Sequence, residues 1–368
     1  MTEQLAEYQD FHALDEFAAA ADSRWTPAAR DFIGLGAGRG LGILANESAL
    51  QSWALRTRVL RDVSSIDTST HVLGAQLAMP VLLGPSALHV LSTAEGEAAT
   101  ARAAARTGTV LVLSASTSRS IEDVAAAGAR MWFQLYWGRD RERVTQLIRM
   151  AEEHGCTALC VTVDMSVPGV LGSRMAVALR GLGDARPLYV LPRDTQLDSG
   201  EWDHDSRLTW RDLEWMRATT TLPIVLKGIM TAEDARLAAE HGVDALVVSN
   251  HGGRALDTPR ATIDALPEVV DAVAGTSTEV YVDGGFRTGT DIAVALALGA
   301  RAVLIGRPVL WGLATGGEGG LVALLSLLRG QLTSVMGMVG AASVAEIDRA
   351  RVCRTGAGDG SRHDSAGM

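Results

Sequence analysis

The feature that most constrains the fold of this chain is a repeated alternation beginning near Met79. Short apolar runs occupy residues 80–83, 110–113, 131–135, 158–163, 224–226, 245–248, 280–282 and 302–305, and each reads as a buried strand bounded by turn signals. Alanine-rich stretches at 95–107, 120–127, 142–154, 232–241 and 291–298 carry helical character between them. Eight β-then-α units fit an α/β fold of the closed (β/α)8 TIM-barrel type. An open, doubly wound sheet is the alternative.

The expected organisation is one domain over residues 1–355, with the barrel at 79–313. Residues 1–78 form an N-terminal helical extension and 314–355 C-terminal helices. Within the extension, Phe11 to Ala21 repeats apolar positions at helical spacing, and Thr26-Pro27 reads as the N-cap and first residue of a second helix. The glycine-rich stretch 34–42 follows no strand and lacks GxGxxG spacing, so it reads as a flexible connector rather than a dinucleotide loop. A polar insertion after the fourth strand, 169–210 within a wider region 165–215, reads as a lid. The polar tail 356–368 is expected to be disordered.

The net charge of −10 argues against a nucleic-acid partner. The acidic N-terminus has no secretory h-region, and no run of apolar residues is long enough to suggest a membrane span. Cys156, Cys160 and Cys353 lack CxxC spacing, so neither a metal site nor a disulfide framework is expected, and a reducing cytoplasm fits.

A barrel works at the C-terminal ends of its strands. Read there, the chain offers Pro85, Ser86 and Ala87 after the first strand, then Ser114, then Gln134 and Tyr136. Thr162 and Asp164 follow the fourth strand, and Lys227 closes the fifth. The sixth ends in Ser249-Asn250-His251-Gly252-Gly253-Arg254-Ala255-Leu256-Asp257. His supplies a base that titrates near neutrality, Arg a planar fork for a carboxylate, and the glycines a close backbone approach. Taken alone, this stretch reads equally well as a surface turn. Asp164 is the natural partner to keep His251 basic. Asp283, Gly284, Gly285 and Arg287 after the seventh strand, with Gly306 and Arg307 after the eighth, form an anion cradle where barrels commonly hold phosphate.

These residues together resemble the FMN-dependent 2-hydroxy-acid oxidases and dehydrogenases, the family of glycolate oxidase, lactate oxidase and mandelate dehydrogenase. The motifs are Ser249 to Asp257, Leu222-Pro-Ile-Val-Leu-Lys-Gly228, Phe133-Gln-Leu-Tyr136, Thr162-Val-Asp164, Asp283-Gly-Gly-Phe-Arg-Thr-Gly289, Ile305-Gly-Arg-Pro308 and Glu95-Gly-Glu97. The resemblance runs in order over about residues 10–350. It implies bound FMN, with Pro85, Ser86 and Ala87 behind the flavin ring and Ser114, Gln134 and Thr162 on its polar edge. Lys227 and Ser249 would lie near its N1 side, and Asp283, Gly285, Arg287, Gly306 and Arg307 at the ribityl phosphate. Substrate would meet Tyr136, Arg174, His251 and Arg254. The implied reaction is oxidation of an (S)-2-hydroxy acid to the 2-oxo acid, with His251 as base and Asp164, Tyr136 and Lys227 assisting. Dioxygen is the expected acceptor, with a quinone or protein acceptor as the alternative. A flavin-free lyase or isomerase using Lys227 as a Schiff-base nucleophile is the remote one. The family also implies a homotetramer.

Two positions depart from the pattern. Where the family often has Asp-Tyr-Tyr-Ala-Ser-Gly, this chain reads Asp31-Phe32-Ile33-Gly34-Leu35-Gly36. Where many members carry Trp or Tyr two residues after the Ser114 position, it has Ser116. Some mandelate-type members share Phe at the first position, so the expected substrate is bulky or aromatic.

Overall fold

The computed structural model describes residues 11–165, 177, 178, 180–183, 185, 188 and 205–355. The tail 356–368, Arg174 and most of the expected lid lie outside them.

Three helices open the described residues: α1 (Leu14–Arg24), α2 (Pro27–Gly34) and α3 (Leu41–Leu50). Thr26 caps α2 by accepting from the Ala29 amide at 3.2 Å, with Pro27 in the first turn, where its missing N–H costs nothing. Strand β1 (Trp53–Leu55) follows, then the hairpin β2 (Thr70–Val72) and β3 (Ala75–Leu77). The barrel then runs β4 (Val81–Leu83), α4 (Glu97–Thr107), β5 (Val110–Ser114), α5 (Ile121–Ala125), β6 (Arg130–Tyr136), α6 (Arg141–Glu153) and β7 (Leu159–Thr162). After the insertion come α7 (Asp212–Thr219), β8 (Ile224–Ile229), α8 (Ala232–Glu240), β9 (Ala245–Val248), α9 (Thr262–Ala272), β10 (Glu279–Asp283), α10 (Gly289–Ala297) and β11 (Ala302–Ile305). The last described elements are α11 (Arg307–Val339) and β12 (Val352–Arg354), which pairs antiparallel with β1.

Strands β4 to β11 form a closed barrel, every adjacent pair parallel, with Val303 opposite Val81 where β11 meets β4. Parallel strands covered on both faces need apolar side chains on both, which is why each was legible as a continuous apolar run. One set, including Leu82, Val112, Trp132, Cys160, Val225, Val247, Tyr281 and Leu304, fills the barrel interior. The other packs outward against the helices. Val72 and Leu77 of the hairpin join the interior set, so the hairpin plugs the barrel's N-terminal mouth.

The C-terminal segment differs from the expected helices at 314–355. One long helical run starts at Arg307, breaks at Gly316 and Gly317, and packs on α1, α4 and α10, and residues 352–354 form a strand rather than a helix. This run is long and apolar enough to cross a membrane by length and composition alone. Leu313, Leu321, Leu324, Leu325, Leu328 and Leu332 are all buried within the protein.

The insertion region 165–215 is narrower than expected at its far end. Its last residues already belong to α7, where Trp215 packs on Trp137 with ring centroids 5.9 Å apart.

The stretch 34–42 is no flexible connector. The Ala37 amide donates to the Gly253 carbonyl at 2.8 Å, and the amides of Arg39 and Leu41 donate to Asp257 Oδ1 at 3.0 and 3.3 Å. These bonds dock the start of α3 on the loop after β9.

Candidate active site

The polar residues expected at the strand ends converge at the C-terminal mouth of the barrel. Their centre is His251, which follows β9 with φ at +57°. A non-glycine residue held there carries strain that the surroundings must impose. The Ser249 hydroxyl imposes part of it by accepting from the His251 amide at 3.1 Å. The imidazole Nδ1 lies 2.9 Å from Asp164 Oδ1, and both side chains are largely buried. Burial opposes ionisation of Asp164, but His251 and Lys227 outweigh it and hold its carboxyl below the ordinary value. An anionic Asp164 fixes the proton of His251 on Nδ1, which leaves Nε2 as the basic nitrogen.

The Tyr136 ring stacks on this imidazole with centroids 6.4 Å apart, and burial pushes its hydroxyl up to about 12, so it stays protonated as a donor. Lys227 lies within β8, at the bulge before Ile229, with its side chain 5 % exposed. Its Nζ donates to Ser249 Oγ at 2.9 Å and lies 3.3 Å from Asp283 Oδ2. Burial alone would lower its pKa, but Asp283 and Asp164 outweigh that and keep it firmly charged.

Ser249, expected close to the flavin, is heavily bonded within the protein. Its hydroxyl accepts from Lys227 and from the His251 amide and donates to Asp283 Oδ2 at 2.9 Å. A hydroxyl has one proton and two lone pairs, so its capacity is spent inside the protein. Ser249 links the lysine, the histidine and Asp283 rather than reserving a bond for a ligand. Gly253 is similar: a Cβ there would stand 2.6 Å from the Ile43 amide and 2.7 Å from the Gly42 carbonyl carbon. The close approach it allows is to α3, not to a ligand. Gly285, equally, faces the backbone of Asn46.

Two arginines stand out. Arg254 Nη1 donates to the carbonyls of Phe32, Ile33 and Leu35 at the end of α2, with its guanidinium 5.6 Å from the Phe32 ring centroid. Its Nε and Nη2 have no hydrogen-bond partner among the described residues. Arg307 donates from Nε to Ile33, from Nη1 to Gly252 and from Nη2 to Leu35, all carbonyls. Neither guanidinium has a carboxylate partner among the described residues. Burial pushes Arg254 down to about 10, and burial with the neighbouring Arg254 and Arg287 pushes Arg307 down to about 9. Guanidiniums do not lose their proton in proteins, so both stay charged. Arg287, expected beside Arg307 as a free cation, is instead neutralised by Glu47 at 2.7 Å and stacked on Trp311.

Sequence reasoning missed α3 as a partner of the site. Asn46 and Asn250 exchange amide hydrogen bonds at 2.9 and 2.8 Å and lock that helix to the loop bearing His251. Both are almost fully buried. The signal was an Asn four residues from Gly42 and from Leu50, on the one helix face that those residues bury.

Residues 21–354 match the model of the family described as FMN-dependent dehydrogenase. The chain belongs to that family. FMN is its cofactor, and it is an oxidoreductase acting on a CH–OH group. It is 42 % identical to an L-lactate oxidase of Nostoc sp. over 91 % of this chain and 96 % of that one. It is 44 % identical to a peroxisomal (S)-2-hydroxy-acid oxidase of Oryza sativa subsp. japonica, covering 93 % and 95 %. A solved structure of mandelate oxidase with benzoyl-formic acid superposes with a TM-score of 0.83 at 39 % identity, covering 93 % of this chain and 98 % of that one.

The residues present suit FMN. Asp283 Oδ1 is a buried acceptor without a donor among the described residues, one that a ribityl hydroxyl would satisfy. Arg307 has used three of its five N–H groups and has no anionic partner among the described residues, a place that a phosphate would fill. Ser114 donates to Gln134 Oε1 at 2.8 Å and Gln134 Nε2 donates to Thr162 Oγ1 at 2.9 Å. That chain leaves one Gln134 N–H and the Thr162 hydroxyl proton for the acceptors of a flavin edge.

Proposed function

We propose that this chain oxidises a bulky or aromatic (S)-2-hydroxy acid to the 2-oxo acid and passes the electrons to dioxygen. The observation that carries this reading is one site in which a carboxylate-oriented imidazole, a phenol and an arginine with unused donors face each other at the barrel mouth. The unused edge of Arg254 takes the substrate carboxylate as a bidentate pair, and Tyr136 donates to substrate oxygen. His251 Nε2 receives the proton that leaves the hydroxy-carbon centre, and Asp164 stabilises the imidazolium that results. FMN, when bound, supplies the acceptor for the electron pair. Lys227, kept cationic by Asp283 and Asp164, stabilises the negative charge that accumulates nearby. Arg174, the second expected carboxylate ligand, lies outside the described residues.

The bulky substrate class is supported by two positions. Phe32 lacks the hydroxyl that would meet the substrate carboxylate, and its ring lies 5.6 Å from the Arg254 guanidinium instead. Ser116 is small and buried where many relatives of this kind place a large aromatic ring. The relatives above are named as oxidases, which supports oxygen as the acceptor. The test compares kcat/KM for (S)-mandelate and glycolate in wild type and Ser116→Trp. Wild type is expected to favour mandelate, and Ser116→Trp to erode that preference by about tenfold or more through lost pocket volume. A wild type that favours glycolate, with Ser116→Trp neutral, contradicts the proposed substrate class. Rapid reoxidation of the reduced protein in air is the expected mark of an oxidase.

A further inference from the structure

Glu97 opens α4 and is fully buried, at 0 % exposure. A carboxylate out of water is costly unless each oxygen is hydrogen-bonded. Here Oε1 accepts from the His89 amide and from the Ser118 amide, both at 3.0 Å, and Oε2 accepts from the Ser118 hydroxyl at 2.7 Å. Burial opposes its ionisation, but His89 and the Ser118 donors outweigh that and hold the carboxyl below its ordinary value.

The two segments so joined are the loop after β4 and the loop after β5. The first carries Pro85, Ser86 and Ala87, and the second follows Ser114 and carries Ser116. Further bonds cross the same seam: the Leu88 amide donates to the Ser116 carbonyl at 3.1 Å, and the Val90 amide to Ser118 Oγ at 3.2 Å. Leu88 sits at φ +56°, a left-handed conformation that a leucine adopts only when its surroundings require it. The His89 ring, 1 % exposed, lies between Thr100, whose hydroxyl meets Nδ1 at 2.8 Å, and the backbone of Ser86. Its Nε2 is buried without a well-aligned hydrogen bond. A salt-bridged or apolar contact would serve to hold two loops together. A carboxylate aimed at two backbone amides also fixes where those amides point.

We propose that Glu97 is a positioning residue for the flavin: its buried carboxylate, with His89 beside it, clamps residues 85–88 to the loop after β5 and so sets the surface on which the flavin ring rests. This deepens the site reading above and rests on residues 85–87 lying against that ring. Neither Glu97 nor His89 touches the reacting atoms. Their effect passes through the strained turn at Leu88.

The test uses holoprotein of wild type, Glu97→Gln, His89→Gln, Ala87→Leu and the control Ile148→Ala, which opens a cavity beneath α6. Three quantities are read: the rate of FMN release on dilution, followed by flavin fluorescence, the shape of the oxidised-flavin absorption spectrum, and kcat separately from KM. Glu97→Gln is expected to speed FMN release by about tenfold or more and to shift the spectrum, with KM for the hydroxy acid changed by less than about twofold. His89→Gln is expected to move the same readouts in the same direction, and it keeps the test open if Glu97→Gln fails to accumulate. Ile148→Ala is expected to lower Tm without moving the spectrum or the release rate. If both seam variants lose Tm as the control does but release FMN at the wild-type rate with an unchanged spectrum, the clamp is overturned while the site reading survives. If Ala87→Leu also leaves the spectrum and the release rate untouched, residues 85–87 do not meet the ring, and both fall.

Discussion

His251→Ala should keep its FMN and lose about a hundred- to ten-thousand-fold in the rate of flavin reduction by substrate, the range that a positioned general base contributes. Cofactor is retained because the imidazole spends its Nδ1 on Asp164 and its face on Tyr136, not on any group that suits FMN. The backbone amide that Ser249 holds survives in the alanine variant, so the Lys227–Ser249–Asp283 link persists. Asp164→Asn should fall between wild type and His251→Ala. An amide still meets Nδ1 but no longer stabilises an imidazolium, and its own orientation can favour the wrong tautomer. Anaerobic stopped-flow absorbance, at saturating substrate, separates this step from reoxidation. Near-normal flavin reduction in His251→Ala would remove the histidine from the chemistry.

Arg307→Met should weaken FMN by about ten- to hundredfold while leaving riboflavin affinity within about twofold, because the lost hydrogen bonds are charge-assisted ones to the phosphate alone. The side chain donates to three backbone carbonyls and meets no carboxylate among the described residues, so its charge is compensated there by dipoles but not neutralised. Phosphate neutralises it, and riboflavin cannot. Since the same bonds tie Ile33 and Leu35 of the α2 end to Gly252, Arg307→Lys serves as the companion variant. It restores charge without the fork and should recover part of the FMN preference. Equal weakening of both ligands would reduce Arg307 to a strut between α2 and the loop after β9.

The barrel was legible because its strands are buried on both faces. Each of the eight apolar runs coincides with a strand, from β4 at Val81 to β11 at Ile305. The strand ends were legible for the complementary reason, since Lys227 or Asp164 at the close of an apolar run needs a partner. The pairing of His251 with Asp164, 87 positions apart, followed from chemistry once the barrel was assumed. Hydrogen-bond capacity was not legible. Nothing in the order of residues shows that Ser249 is saturated by three internal partners, or that Glu47 already neutralises Arg287. The glycine-rich stretch 34–42 misled because glycine signals both looseness and close packing. Gly42 serves the second purpose, its Cβ position lying 3.0 Å from Gly253 Cα. Asn46 was invisible because its partner, Asn250, is 204 positions away.

The central claim is that His251 and Arg254 hold a 2-hydroxy acid against bound FMN. The most direct measurement is the oxidised-flavin absorption band of wild-type holoprotein after anaerobic addition of (S)-mandelate. The band should bleach fully, and (R)-mandelate at the same concentration should leave it intact. A band that persists with (S)-mandelate, and equally with lactate and glycolate, would contradict the account.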